Sequence, residues 1–208
     1  EHLCVTAEDL KPLFGKVMTE IADAILASID PKDRYDLMER CMDTENKYLF
    51  ENECRIGYPG ILETVRELSE KYRLFIVSNS QCGYPELCMD KLGLTPYIEG
   101  HLCFGDTGTS KGKTIRTLIE KHNIGSCIYI GDTQGDLEAS EHAGIPFIFC
   151  TYGFGTPARW DAKLDAFPQL PELLKQLDTV EKMYQKAQLE EGMLTAVLGT
   201  NLTYRTPE

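Results

Sequence analysis

Four short apolar runs, separated by stretches with helical periodicity, constrain this chain more than any other feature. Leu74-Phe75-Ile76-Val77, His101-Leu102-Cys103-Phe104, Cys127-Ile128-Tyr129-Ile130 and Pro146-Phe147-Ile148-Phe149-Cys150 have the length and apolarity of strands buried on both faces. Helical patterns cover 61–72, 85–92 and 112–122, and a further one ends at Gly144. Alternation of this kind closes through right-handed crossovers into a doubly wound, Rossmann-like parallel sheet, an α/β fold. Such sheets bind ligands beyond the carboxyl ends of their strands, so the residues following each run are the ones to read for function.

The first part of the chain has no strand pattern. Thr6-Ala7-Glu8-Asp9 resembles a capping box. Ile21, Ile25, Leu26 and Ile29 recur at helical spacing until Asp30-Pro31 breaks them, and a further helix runs through Tyr35, Leu37, Met38, Met42 and Leu49. Gly57-Tyr58-Pro59-Gly60 reads as a linker. The expected organisation is a small all-helical unit over 1–56, an α/β core over 57–176, and a C-terminal helix and tail over 177–208. That helix begins near Leu170 and runs to about Glu191; 192–208 has weak periodicity.

Composition limits the partners. A net charge of −12 argues against nucleic acid and anionic membrane, and an anionic ligand would need positive charge supplied locally. No apolar stretch approaches the length that spans a bilayer. The eight cysteines form no Cys-x-x-Cys pair, which argues against a zinc ribbon or a dithiol redox motif. Cys103, Cys127 and Cys150 fall inside apolar runs, as small hydrophobes do. With no signal peptide in the sequence, this usage fits a reducing cytoplasm, and we expect a cytoplasmic monomer.

Three strand ends carry polar residues. Ser78-Asn79-Ser80 follows the first run and offers a hydroxyl and N–H groups to an oxyanion, although Ser and Asn are also ordinary turn residues. Gly105 to Lys113 puts Lys111 and Lys113 at a helix start, against the helix dipole, which suits a ligand-facing Lys111 and a solvated Lys113. Gly131-Asp132-Thr133-Gln134-Gly135-Asp136 presents two carboxylates four residues apart after the third run. They read equally as ligands for a hard cation such as Mg²⁺ or as caps of the following helix.

Taken in this order, each after an apolar strand, these three segments resemble the motifs of the haloacid dehalogenase-like (HAD) superfamily, phosphoglycolate phosphatase-like members with a helical cap in particular. Tyr58-Pro59-Gly60 and Ala143-Gly144-Ile145-Pro146 are similar to family text as well. The resemblance covers roughly residues 1–175. It implies that Ser78, with Asn79 beside it, binds the transferring phosphoryl group, and that Lys111 offsets negative charge on nucleophile and phosphate. It further implies that Asp132 holds Mg²⁺ and that Asp136 joins it directly or through water. Lys16, in a Phe14-Gly15-Lys16 turn between cap helices, is a candidate for substrate contact; a plain surface lysine is the alternative.

The implied activity is Mg²⁺-dependent hydrolysis of a phosphate monoester of a small metabolite through an aspartyl-phosphate. One departure qualifies it. The family's first motif, a strand ending in Asp-x-Asp that supplies the nucleophile and the general acid/base, is absent from these 208 residues. By family topology that strand is the first and central one, between those ending at Ser78 and Gly131. The chain starts on Glu1 rather than Met, and truncation is the expected cause. On this reading the 208-residue chain alone is inactive. The alternatives are a noncatalytic pseudoenzyme that binds a phosphorylated ligand or a partner, and a sugar-phosphate mutase of the same superfamily.

Overall fold

The computed structural model describes residues 5–178; the expected helical residues beyond 178 and the 192–208 tail lie outside the described residues. The first part is helical as expected, with α1 (Ala7–Leu10), α2 (Met18–Ile25) and α3 (Pro31–Glu51). Thr6 caps α1 in a reciprocal capping box with Asp9. Asp30 caps α3 at Lys32 N, with Pro31 at the first helical position, where a missing N–H costs nothing. Arg34 ties the two longer helices together. It pairs with Asp23 at 2.6 Å and donates to the carbonyls of Ala27 and Ile29.

The α/β part follows with α4 (Ile61–Ser69), β1 (Phe75–Ser78), α5 (Tyr84–Lys91), β2 (Gly100–Cys103), α6 (Phe104–Thr107), α7 (Lys111–Lys121), β3 (Tyr129–Gly131), α8 (Gln134–Ala143), β4 (Phe147–Cys150) and β5 (Ala162–Leu164); a last helix covers 170–178. Every strand pair is parallel. β1 pairs with β2, placing Ser78 opposite Cys103. β3, β4 and β5 form a second ladder in that order. Among the described residues no ladder joins β1 to β3, so the sheet has the break expected between the strands ending at Ser78 and Gly131.

Two elements depart from the sequence reading. β5 was not expected: its three residues are too few to show alternation, and Lys163, exposed between buried Ala162 and Leu164, hides the apolar signal. Phe104 belongs to a single turn of helix rather than to the second strand, because Asp106 accepts from Cys103 N at 2.7 Å and turns the chain there.

β4 shows how the sheet is covered. Its alternate residues face opposite ways, as strand geometry requires. Ile148 and Cys150 pack with Leu68 of α4 and Leu170, whereas Phe147 and Phe149 pack with Leu137 of α8 and with Trp160. α4 also reaches the other ladder: Val65, one helical turn from Leu68, packs with Met89 and Leu94 and against Ile76 of β1. On the opposite side α7 lies directly on α8. Among the described residues no helix is long and apolar enough to cross a membrane.

The α7–α8 contact has no room for a side chain at Gly112. A Cβ there would sit 2.7 Å from His142 Cβ and 3.0 Å from Ala139 O. Helix propensity alone would make Gly112→Ala stabilising by about 1 kcal/mol. Overpacking costs about 1–3 kcal/mol, and here it wins, because one obstacle is backbone. Urea unfolding should show a lower midpoint for Gly112→Ala; a raised midpoint would mean that the helices separate freely.

Candidate active site

The carboxyl ends of β1 and β3 and the N-termini of α7 and α8 converge. Lys111, the first residue of α7, places its Nζ 2.6 Å from Asp136 Oδ1, and both side chains are nearly buried. Asp136 is saturated by donors. Oδ1 also accepts from Tyr129 OH at 3.2 Å, and Oδ2 accepts from Asp132 N, Thr133 N and Thr133 Oγ1 at 3.1, 3.0 and 2.8 Å. Thr133 is the N-cap of α8 and Asp136 the third residue of its capping box. Burial alone would raise the Asp136 pKa. The Lys111 charge and the hydrogen bonds from Lys111 and Thr133 outweigh it and hold the carboxyl below its ordinary value. Burial first, and then the negative charge of Asp136, pushes the Tyr129 phenol well up.

Asp132 is arranged differently. It is half-buried, and its Oδ2 accepts a single hydrogen bond, from Phe154 N at 2.7 Å. Among the described residues its Oδ1 accepts none. The connection between β4 and β5 carries that N–H over the end of β3. Its two glycines make the approach possible: a Cβ on Gly153 would lie 2.3 Å from Asp132 Oδ2, and one on Gly155 would lie 2.5 Å from Asp132 O. Tyr58 stands nearby, bonded to Tyr152 O at 3.3 Å, its phenol pushed up by burial and then by the Asp132 charge.

At the end of β1, Ser78 Oγ accepts from Ser80 N at 3.1 Å. Ser80 Oγ is buried without a hydrogen-bond partner among the described residues. Asn79 Nδ2 donates to Gly15 O at 2.7 Å, which ties the turn between α1 and α2 to the strand end. Gly15 has φ +83°, a conformation that favours glycine, and any Cβ there would come within 3.2 Å of Thr133 Cγ2. Phe14 packs on Phe154, with ring centroids 4.6 Å apart. Lys16 is exposed and pairs with Glu20 at 3.5 Å.

A cavity of about 760 Å³ opens under this turn, lined among others by Lys16, Glu20, Asn79, Lys111, Thr133 and Phe154. Three of the residues singled out from the sequence, Lys16, Asn79 and Lys111, therefore face one space. Ser78, Asp132 and Asp136 lie outside the lining, Asp132 held against the Phe154 N–H and Asp136 enclosed by its donors. Lys113 is exposed. Sequence reading missed Thr133 and the Gly153-Phe154-Gly155 loop. Thr133 followed three residues later by Asp136 has capping-box spacing. The loop contact spans 22 residues and carries no local pattern.

The comparisons agree with this architecture. The family model of haloacid dehalogenase-like hydrolases matches residues 2–150. The chain belongs to that family. A phosphoglycolate phosphatase of Agrobacterium fabrum is 31% identical over 159 residues, covering 72% of this chain and 67% of that protein. One of Rhodobacter capsulatus is 26% identical over 131 residues, covering 61% and 57%. The matched part of the chain thus spans between half and about two thirds of these relatives' length. The crystal structure of a predicted phosphoglycolate phosphatase from Haemophilus somnus superimposes with a TM-score of 0.70 at 20% identity, covering 83% of this chain and 84% of that one, a likeness of fold.

Asp136→Asn leaves the Lys111 ammonium without its counter-charge, and breaking a buried pair in this way costs about 3–5 kcal/mol. Urea unfolding at pH 7 should show that loss. The folded pKa of Asp136 lies below its unfolded value of about 3.9, so its contribution is complete above that pH and disappears as pH falls through the folded pKa. The unfolding midpoint of the unsubstituted chain should therefore drop on acidification below about pH 4 more steeply than that of Asp136→Asn.

Proposed function

We propose that this chain forms the phosphate- and cation-holding part of a Mg²⁺-dependent phosphatase acting on monoesters of small phosphorylated metabolites. One observation carries the reading. A nearly buried lysine at the start of α7 and an asparagine at the end of β1 line a common cavity, and a carboxylate with one oxygen uncommitted among the described residues stands at the end of β3. The residues 1–56 serve as the cap over a core of 57–176, with Lys16 at the cavity wall for contact with the substrate's far end.

The residues divide the work as follows. Ser78 and Asn79 orient the phosphoryl oxygens, Asn79 while also fixing the cap turn. Lys111 supplies positive charge at the cavity wall. Asp132 fits a hard cation, because one of its oxygens is tied by the Phe154 N–H and the other is open. Asp136 does not fit as a direct ligand in this arrangement: both of its oxygens are taken, one by an ammonium. We assign it as a positioning residue for Lys111 and for the Asp132 main chain. Mg²⁺ held by Asp132 would supply neutralisation of charge on the phosphoryl oxygens. Preorganised contacts of this sort contribute about 3–4 kcal/mol each to the transition state.

No Asp-x-Asp occurs in the sequence, so no residue of these 208 takes the nucleophilic role. The chain by itself is expected to bind phosphate without turning over p-nitrophenyl phosphate. Calorimetric titration with inorganic phosphate tests the assignment. Affinity should rise with Mg²⁺, Ser78→Ala should weaken it about tenfold or more, and Asp132→Asn should remove the Mg²⁺ effect with an unchanged circular dichroism spectrum. A Mg²⁺ effect that survives Asp132→Asn overturns the ligand assignment, and turnover by this chain overturns its inactivity.

A further inference from the structure

A second constellation lies on the β1–β2 ladder and plays no part in the phosphate site. Cys82 stands in the loop after β1, Cys103 is the last residue of β2, and Asp106 belongs to α6. Their ligand atoms, two sulfurs and a carboxylate oxygen, all lie within 4.8 Å of one another. The fold creates this cluster: Ser78 and Cys103 are register partners at the ends of neighbouring parallel strands, so the segments leaving both strands emerge side by side. Ser80 O accepts from Gly105 N at 3.1 Å and clamps the two loops. Gly105 lets Cys82 descend onto the turn, since a Cβ there would sit 2.4 Å from Cys82 N and 2.9 Å from its Sγ.

The carboxylate of Asp106 faces two ways. Oδ2 accepts from Cys103 N at 2.7 Å and caps the single turn of α6. Oδ1 lies 3.4 Å from Cys82 Sγ. Capping therefore accounts for one oxygen and leaves the other turned toward the sulfurs. A tetrahedral Zn²⁺, with Zn–S of about 2.3 Å and Zn–O of about 2.0–2.2 Å, sets its ligands about 3.5–3.8 Å apart, close to that sulfur–oxygen distance. Nearby His101 is engaged with Glu86 at 3.0 Å. Cys82 and Asp106 are exposed while Cys103 is fully buried, so the fourth position opens to water.

We propose that Cys82, Cys103 and Asp106 bind a thiophilic divalent cation, Zn²⁺ in the first place, as a clasp between the loop after β1 and the turn after β2. Two sulfur ligands select against Mg²⁺ and Ca²⁺, which take oxygen, so this site and the Asp132 site draw on different ions. Each of the two metal–sulfur bonds forms with loss of one thiol proton to solvent, the Asp106 carboxylate binds in its ionised form, and no oxidant or reductant is involved. The ion fixes the segment that begins with Ser78 and Asn79, and its stabilising effect follows from its binding to the folded chain alone.

The test uses the 208-residue chain, stripped with a chelator and kept in a non-thiol reductant. Co²⁺ should give a thiolate-to-metal charge-transfer band in the near ultraviolet at one equivalent, and Zn²⁺ should displace it and raise the thermal midpoint. Cys82→Ser, at an exposed position that leaves the core untouched, should reduce the affinity at least tenfold. Gly105→Ala, which alters no ligand but pushes Cys82 away, should do the same. Cys41→Ser, an exposed cysteine elsewhere, should change nothing. The proposal falls if the unsubstituted chain gives no charge-transfer band, or if the band persists undiminished in Cys82→Ser with its circular dichroism intact.

Discussion

The contact between Lys111 and Asp136 carries more of this structure than its 2.6 Å length suggests. α7 follows β2 and belongs to the β1–β2 ladder, whereas α8 lies between β3 and β4 of the other ladder. No backbone ladder joins the two among the described residues, so side chains must hold them in register. On one side α4 does this with Val65 and Leu68, one residue in each apolar cluster. On the other side α7 and α8 meet at Gly112, and the ion pair locks their N-terminal ends. Hydrophobic packing does not fix direction, but a buried ammonium aimed at one carboxylate oxygen does. The same carboxylate holds the main-chain N–H groups of Asp132 and Thr133, so the orientation of the β3 end depends on the pair as well.

Much of this was legible in the sequence because it depends on local pattern. Four apolar runs gave four of the five strands, and the polar residues following them gave Ser78 and Asp132 at strand ends and Lys111 at the start of α7. What lay beyond reach depends on geometry between distant segments. The two readings of Asp132 and Asp136, metal ligand or helix cap, could not be separated by spacing, since both put carboxylates at a helix start. In three dimensions they separate by residue. Asp136 has the capping role together with Lys111, and Asp132 keeps an oxygen free of donors among the described residues. Nor could spacing reveal the Phe154 N–H on Asp132, the short β5 with its outward Lys163, or the meeting of Cys82 and Cys103, which are far apart in sequence and adjacent only because β1 and β2 pair.

The asymmetry between the two acids follows from their surroundings. Asp136 sits where a helix start, a lysine, a tyrosine and a threonine all donate, and it is nearly sealed from solvent. Its charge is neutralised by the protein itself. Asp132 gives its main-chain N–H to that network, but among the described residues its carboxylate is met by a single N–H, at the half-exposed end of β3. Of the two acids, only Asp132 leaves a carboxylate oxygen without a donor among the described residues.

The bond from Asn79 to Gly15 is made to a main-chain carbonyl, a group that every residue possesses. This tie between the turn and the end of β1 is thus independent of which side chains the turn displays, unlike the packing of Phe14 on Phe154. Lys11, Lys16 and Glu20 can be exchanged without removing that bond, whereas Gly15 cannot, because its left-handed backbone presents the carbonyl. The bond that ties the turn to β1 and the side chains that line the cavity are therefore separate features of adjoining residues. Exchanging Lys11, Lys16 or Glu20 would change the charge of the cavity wall and leave that bond in place.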